Sequence, residues 1–544
     1  MNDGTIRPGG GATGSSACAA TIVAQLVVQG VREVVLAPGS RSAPLALALA
    51  RAEARDEVRL HVRYDERSAG FLALGLAKAS GVPVAVVTTS GTAVGNLLPA
   101  VMEAHHAGVP LLVVSADRPA AMVGFGANQT TDQVRLFEPF VRWSARVSSA
   151  APSESWGAQA ARAWLIATGV LSRHPGPVHL NVELAEPLVG AAPEPQVQAV
   201  SAAAAPGAEP LVLPSGPRTL LVCGDASVEV GTSVAELAVA APLPLVAEPS
   251  SNARAAALHT GRLLLGGPLA QRVQRVVVFG HPTLSRPVNQ LLARPDVELI
   301  VVSPTSDWVD PGWRASRVAS AVGIERDDSS WAEEWAAADV RLIAALNELV
   351  GAQQTFTGPA LAASVAASVS PGDVLVLGSS QPIRDADLAP LGRQVVYANR
   401  GLAGIDGTVS TAVGIALATG RPATLLCGDL TFLHDVNGLA GMGERRPDLR
   451  IVVADDSGGS IFATLEYGAP EFADAFERVF ATPSGVDVAG IARAHGLPVV
   501  QVSTASELAT ALKAPIRGVE LIVARIDRVG RRALDQAINA LGRR

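Results

Sequence analysis

Cysteine is scarce in this 544-residue chain. Cys18, Cys223 and Cys427 lie too far apart for a disulfide framework or a zinc site, so the expected setting is a reducing cytoplasm. Lysine is nearly missing: Lys78 and Lys513 are the only two, so only the placement of arginine is informative. There is no basic excess. The net charge is −7, and no basic stripe is interleaved with aromatics, which argues against nucleic acid as a main partner. Long hydrophobic runs are missing too. ASGVPVAVVTTSGTAVGNLLPAVM, as long as any uncharged stretch in the chain, is punctuated by two Pro and three Gly, as strand–turn–helix and not as a membrane span. The first residues, MNDGTIRPGGGATGSS, hold no apolar segment, so no export signal is expected. No apolar strand leads into a GxGxxG helix with an acid about 20 residues on, which excludes the usual nicotinamide-dinucleotide reading.

What is present is an α/β pattern. The chain is 49 % hydrophobic and 17 % charged, a globular balance with room for several domains. Short runs such as VREVVLAPGS, PVAVVTTSGT, RTLLVCGDAS, ATLLCGDLT and RIVVADDSG each end in small or polar residues. Continuous apolar runs of this length are expected of parallel strands covered on both faces. The fold expected is three doubly wound parallel sheets, with ligands beyond the carboxyl ends of the strands. The aperiodic Ala/Pro-rich stretch 186–217 reads as a linker, and GAQQTFTGP marks a weaker break. We divide the chain at 1–188, 189–355 and 356–544. Sliding the sequence by 339 positions lays GLAKASGVPVAVVTTSGT over GIALATGRPATLLCGDLT, and VVSAD over VVADD, without a gap. The two outer units are therefore expected to share one topology, with Ser90 opposite Asp429.

Two apolar runs end in acids 27 positions apart, Asp429 and Asp456. Side by side, such carboxylates suit Mg²⁺, which takes oxygen ligands and phosphate oxygens. Gly458-Gly459 would let a backbone carbonyl reach the same ion. Two readings remain open on the residues alone: metal ligands, or acids that cap helices. The spacing does not decide, because Asp225 and Asn252 repeat it. That second pair is followed by Ala-Arg in place of Gly-Gly, which favours Asp429 and Asp456.

GDL, 24 residues, then DD resembles the signature of thiamine-diphosphate enzymes, with Leu430 where a second Gly is usual and Asp456 where Asn is usual. APGSRSAPL, YDERSAGFLALGLA, TSGTAVGNLLPA, ADRP, GANQT, ANRGLAGIDG and GDLTFLHD resemble the 2-succinyl-5-enolpyruvyl-6-hydroxy-3-cyclohexene-1-carboxylate synthase family of menaquinone biosynthesis over essentially the whole chain. The resemblance implies thiamine diphosphate with Mg²⁺ (Mn²⁺ as a substitute). It implies an N-terminal pyrimidine-binding domain, a central domain and a C-terminal diphosphate-binding domain. It implies self-association, with active sites shared between subunits. The implied reaction removes CO₂ from 2-oxoglutarate and adds the remaining four-carbon unit to isochorismate in 1,4 fashion.

Glu66 alone would read as a surface charge; the resemblance makes it the catalytic acid at the cofactor's pyrimidine ring. The resemblance places Thr89, Ser90, Gly91, Ile405, Gly428, Asp429 and Leu430 against the cofactor, with Ile405 as an apolar wedge. It gives Asp429, Asp456 and Gly458 to the metal. Arg41, Arg118, Gln129 and Arg400 join Glu66 as catalytic residues, and Ser40, Asn128, Arg286, Ser380, Arg384 and Phe462 bind substrate. Arg41, Arg118, Arg384 and Arg400 all lie just past apolar runs. Planar guanidinium forks fit the two dicarboxylate substrates. For any single arginine a structural ion pair is the competing reading. Another thiamine-diphosphate carboligase, or a silent scaffold of this fold, are the alternatives for the whole chain. The first would need fewer carboxylate-binding groups; the second is disfavoured by the presence of Glu66 and Asp429. His105, His106, His281 and His434 show no triad or zinc spacing. Asp429→Ala is expected to raise the metal and cofactor concentrations needed for activity, while Asp225→Ala leaves both unchanged; titration of the two variants decides which pair was read correctly.

Overall fold

A computed structural model describes residues 14–543 apart from 205, 206, 208, 442 and 444. The apolar runs become strands. β1 (Glu33–Leu36), β2 (Arg59–Val62), β3 (Val84–Thr88), β4 (Leu111–Asp117), β5 (Trp143–Ser148) and β6 (Val178–Glu183) form one sheet in the order β2-β1-β3-β4-β6-β5. Every pairing in it is parallel. β1, β3, β4 and β6 are buried at every position. Cover on both faces is why the apolar parts of β1, β3 and β4 read without alternation, whereas β6 alternates apolar residues with buried His179, Asn181 and Glu183. Helices form where the period changes. Glu66–Ser80 starts at Asp65, whose side chain accepts from the Ser68 amide, and stops at Gly81, at φ 70°. Its buried face includes Phe71, Leu72, Leu74 and Leu76, each worth roughly 1.5–3 kcal/mol on burial.

β7 (Leu211–Leu213) pairs with β13 (Val322–Ile324) in a two-stranded sheet. β8 (Thr219–Cys223), β9 (Leu245–Ala247), β10 (Arg275–Phe279), β11 (Glu298–Val302) and β12 (Ala315–Ala319) make a parallel five-stranded sheet, β12-β11-β10-β8-β9. β14 (Val374–Leu377), β15 (Val395–Ala398), β16 (Ala423–Gly428), β17 (Leu449–Asp455), β18 (Val499–Val502) and β19 (Val519–Arg525) make the last sheet, β15-β14-β16-β17-β19-β18. It is parallel throughout.

The first and last sheets thus repeat one strand order, as the 339-residue shift implies. The shift carries Val84, which opens β3, onto Ala423, which opens β16. It also carries Gly39 onto Gly378. A Cβ on Gly39 would lie 2.3 Å from the Thr89 Cβ, and one on Gly378 2.9 Å from the Cys427 Cβ. In both halves the turn after the opening strand presses against the end of its neighbour, so only glycine fits.

By compactness the chain divides in two. One unit holds the described residues through 204 with those of the segment 437–444; the other holds the described remainder, including the five-stranded and last six-stranded sheets. The Ala/Pro-rich stretch belongs partly to the first unit for a clear reason. Gln25 donates to the Gln198 carbonyl at 2.7 Å, and Gln29 both donates to and accepts from the Val200 backbone.

The second pair with the 27-residue spacing serves the fold. Asn252, at φ 58°, accepts from Val396 N at 2.9 Å and donates to Val396 O at 3.1 Å and to Ala226 O at 2.9 Å. Its amide thereby joins the five-stranded sheet's loop to β15. Asn252→Ala, which strips these partners, is expected to lower unfolding free energy by about 1–3 kcal/mol, measured by chemical denaturation.

Candidate active site

Parallel pairing of β16 with β17 sets Gly428 opposite Ala454. Asp429 and Asp456, one and two residues beyond, therefore come together at the carboxyl ends of adjacent strands. They line a cavity of about 130 Å³ that Ser380, Ile405, Gly428, Leu430, Gly458 and Phe462 also line. Eight residues named from the sequence converge here. Asp429 is 2 % exposed; its Oδ1 accepts from Leu430 N at 2.7 Å, and its Oδ2 has no hydrogen-bond partner. Asp456 Oδ1 is likewise buried and without a partner. Burial lifts the Asp429 carboxyl to about 6, and the charge of Asp455 pushes the same way. Burial lifts Asp456 to about 7, with the charge of Asp429 adding to it against a hydrogen bond from Ser460.

Two buried like charges with unsatisfied oxygens are costly unless something neutralises them. The residues fit a hard cation: both donors are carboxylate oxygens, and both orphaned atoms line one cavity. Among the described residues no group of three or more His, Cys, Asp or Glu forms a metal cage. The remaining ligands must then come from backbone, water or the oxygens of a bound phosphate. Gly458, at φ 145°, is required on steric grounds as well, since a Cβ would meet the Ala481 carbonyl at 2.4 Å. Its amide faces the Asp429 carboxyl. Phe462 lies 6.1 Å from both Tyr467 and Phe480, whose rings stack at 4.5 Å, so an aromatic cluster forms one wall.

The first sheet builds a different site at the corresponding strand ends. Ser90 is fully buried after β3, in the position that matches Asp429. Arg118, directly after β4, donates to Ser90 Oγ at 2.7 Å and to the Gln129 carbonyl at 3.0 Å. Gln129, at φ 58°, returns a bond to the Ser90 carbonyl at 2.8 Å. Gly91, at φ 81°, leaves room for it: a Cβ there would lie 3.0 Å from Gln129 Cγ. Arg41 donates to Leu184 O at 3.0 Å and approaches Glu186 at 3.4 Å. Burial and the charge of Arg41 both lower the Arg118 pKa. The two guanidinium groups are held close enough to repel. Asp117, which the 339 shift lays over Asp456, is satisfied instead: Asn181 and the Arg118 amide donate to it at 2.9 and 2.8 Å. Thr89 is buried against Gly39, while Ser40 and Asn128 are exposed beside this cluster. Glu66 stands apart from it, half-exposed at the start of its helix beyond the edge strand β2.

Arg384 and Arg400 lie past β14 and β15, and both reach the loop after β10: Arg384 donates to Leu284 O at 2.8 Å, and Arg400 to Thr283 Oγ1 at 2.7 Å. Arg286 is exposed and pairs with Glu466 at 3.3 Å. Sequence reasoning missed Gln133. It is fully buried, accepts from Gly91 N at 3.2 Å, and donates to Asn181 and to Ala116 O. It also missed Ser460, which bonds Asp456, although its place directly after Gly458-Gly459 was a usable signal. The buried Asp385–Arg531 pair, 2.7 Å apart beneath the cavity, left no such trace. Among the described residues no helix is long and apolar enough to cross a membrane.

The sequence is similar to those of known proteins. The family model described as the thiamine pyrophosphate enzyme N-terminal TPP binding domain matches residues 17–136, and that for the C-terminal TPP binding domain matches residues 386–524. They fall on the two like-folded sheets. A 2-succinyl-5-enolpyruvyl-6-hydroxy-3-cyclohexene-1-carboxylate synthase of Kineococcus radiotolerans is 50 % identical, covering 95 % of this chain and 97 % of its own. Proteins of the same name from Nocardioides sp. and Paenarthrobacter aurescens are 48 % and 47 % identical, covering 97 % and 95 % of this chain and 98 % and 95 % of theirs. With thiamine-diphosphate-binding halves and full-length relatives at this identity, the chain belongs to the 2-succinyl-5-enolpyruvyl-6-hydroxy-3-cyclohexene-1-carboxylate synthase family of thiamine pyrophosphate enzymes.

Proposed function

We propose that this protein is a C–C bond-forming transferase that decarboxylates 2-oxoglutarate and adds the remaining four-carbon unit to isochorismate. The product is 2-succinyl-5-enolpyruvyl-6-hydroxy-3-cyclohexene-1-carboxylate, with release of CO₂, in menaquinone biosynthesis. The observation that carries the reading is the pair of partnerless carboxylate oxygens, Asp429 Oδ2 and Asp456 Oδ1, in one cavity at adjacent strand ends. The arginines narrow the choice among thiamine-diphosphate enzymes to one with dicarboxylate substrates, and the names of the full-length relatives supply the reaction.

Thiamine diphosphate, when bound, supplies the nucleophilic carbon and the electron sink for loss of CO₂. The chain's part is to bind, orient and move protons. Asp429 and Asp456 would hold Mg²⁺, with a backbone group of Gly458, and Gly428 and Leu430 would line the diphosphate. Ile405, which lines the same cavity, would give the cofactor an apolar contact. Glu66 would hold a proton at the pyrimidine ring nitrogen, and Thr89, Ser90 and Gly91 would also line the cofactor. Arg41, Arg118 and Gln129 receive one substrate carboxylate with Ser40 and Asn128. Arg384, Arg400, Arg286 and Ser380 receive another, and Phe462 excludes water. Protons are held where charge changes, and each guanidinium fork meets a carboxylate in two places. We place the domain boundaries at 188/189 and 355/356. The working form is a homo-oligomer in the cytoplasm, with halves from different subunits completing each site.

CO₂ release from 2-oxoglutarate is expected to require thiamine diphosphate and Mg²⁺ and to rise sharply with isochorismate. Mass spectrometry of the adduct checks the product, and equal turnover of pyruvate would sink the assignment. Glu66→Gln is expected to cut kcat by about 10²-fold or more with KM little changed; unaltered turnover would remove Glu66 from its role.

Metal binding has a pH signature. Without a cation, Asp429 and Asp456 titrate near 6 and 7, above an ordinary carboxylate. The folded state then keeps protons that the unfolded chain has released, so folding stability falls as pH rises from the ordinary carboxylate range through about 7. A cation needs both groups ionised, so its affinity rises across the same window and levels off above it. Calorimetry in buffers of differing ionisation heat should show proton release on Mg²⁺ binding near pH 6.5 that vanishes by about pH 8.5.

A further inference from the structure

The five-stranded sheet contributes one buried acid for which the proposed mechanism has no task. Glu248 follows β9, is 4 % exposed, and burial lifts its carboxyl to about 7. Its Oε1 accepts from Leu284 N at 2.7 Å and its Oε2 from Thr283 N at 3.2 Å. Each carboxylate oxygen therefore takes one of two successive amides in a turn that belongs to no helix or strand. The other polar groups of that turn go to the arginines. Leu284 O accepts from Arg384, and Thr283 Oγ1 accepts from Arg400.

We infer that Glu248 is a positioning residue for the Arg384–Arg400 pair, acting through the Thr283–Leu284 turn; the inference rests on the function proposed above for its substrate. Arg384 and Arg400 repel each other, and burial also works against Arg384. A long side chain under repulsion, with many rotamers open to it, does not keep one orientation without a tether. The turn supplies a tether to each arginine at the cost of one donor in five, leaving the rest of each fork for a ligand. Two atoms of this cluster are set for that purpose. Arg400 Nε and Ser285 Oγ are buried and have no partner, and Ser285 is next in the chain after the turn. The turn is in turn fixed by Glu248, whose charge is balanced in part by Arg400. Only a carboxylate fits: two adjacent N–H donors need two acceptors, whereas a glutamine would aim its own N–H at one of them. The ligand that this cluster serves is a dicarboxylate, held by the pair of guanidinium forks.

The test uses the full-length protein with thiamine diphosphate and Mg²⁺. Glu248→Gln and Thr283→Val are each expected to raise KM for 2-oxoglutarate or isochorismate by about tenfold or more, with kcat within about threefold. The double variant should be no worse than the more impaired single, because both act through one turn. Thr283→Ser, which keeps the hydroxyl, should restore KM. Affinity for glutarate, an unreactive dicarboxylate, should fall by the same factor in calorimetry, a readout that general destabilisation would not select. Unchanged KM in Glu248→Gln, multiplicative effects in the double variant, or a Thr283→Ser as impaired as Thr283→Val would each overturn the inference. Should Glu248→Gln fail to fold, Thr283→Val decides alone, and an unchanged KM there refutes it. A wild-type protein inactive on 2-oxoglutarate would overturn the proposed function instead, so the two failures are separable.

Discussion

Parallel pairing of β16 with β17 is the constraint on which the C-terminal site depends. It takes two acids 27 residues apart and places both at one end of a sheet, Asp429 buried and Asp456 partly so, with a buried oxygen each left over. No local preference would bring them there. Each strand is buried for its own reasons, through Val, Leu and Ile, and the acids ride at the ends of runs whose apolar burial drives the pairing. The free energy of the core thus stabilises an arrangement of like charges that is unfavourable by itself. A site that must accept a cation and a phosphate has to be built this way, because a satisfied site would have nothing to offer either.

The two like-folded halves show how one topology is put to two uses. Position for position, Ser90 matches Asp429 and Asp117 matches Asp456. In the last sheet both positions are carboxylates, and both keep a free oxygen. In the first sheet one is a hydroxyl, and the other is a carboxylate closed off by Asn181 and by the next amide. The vacated role passes to arginine, with Arg118 bonded to Ser90 itself. A strand order selects where functional groups stand; the residues there select the sign of charge that is received.

Much of this was legible because burial on both faces writes itself into a sequence as continuous apolar runs. The three sheets, the repeat of the outer topology and the arginines past strand ends all follow from that signal. The acid pair was visible but ambiguous, since Asp225 and Asn252 share its spacing. What separates them is partnership: Asn252 is saturated by backbone groups, and Asp429 and Asp456 are not. Gln133 and Glu248 were invisible for the same reason turned around. Each is a buried polar residue in a segment without regular structure; Glu248 accepts from two backbone amides, and Gln133 bonds Gly91 N and Ala116 O as well as the Asn181 and Ser115 side chains. Backbone partners exist at every position, so no complementary residue type betrays them.

The Asn252 side chain has a consequence beyond joining two parts of the fold. β15 is the outermost strand of its sheet and only four residues long. The margin of an outermost strand is where a further strand would add by main-chain pairing. With both Val396 N and Val396 O taken by one side-chain amide, that margin has lost its central rung. A single asparagine therefore occupies the main-chain groups through which a further strand would pair at that edge.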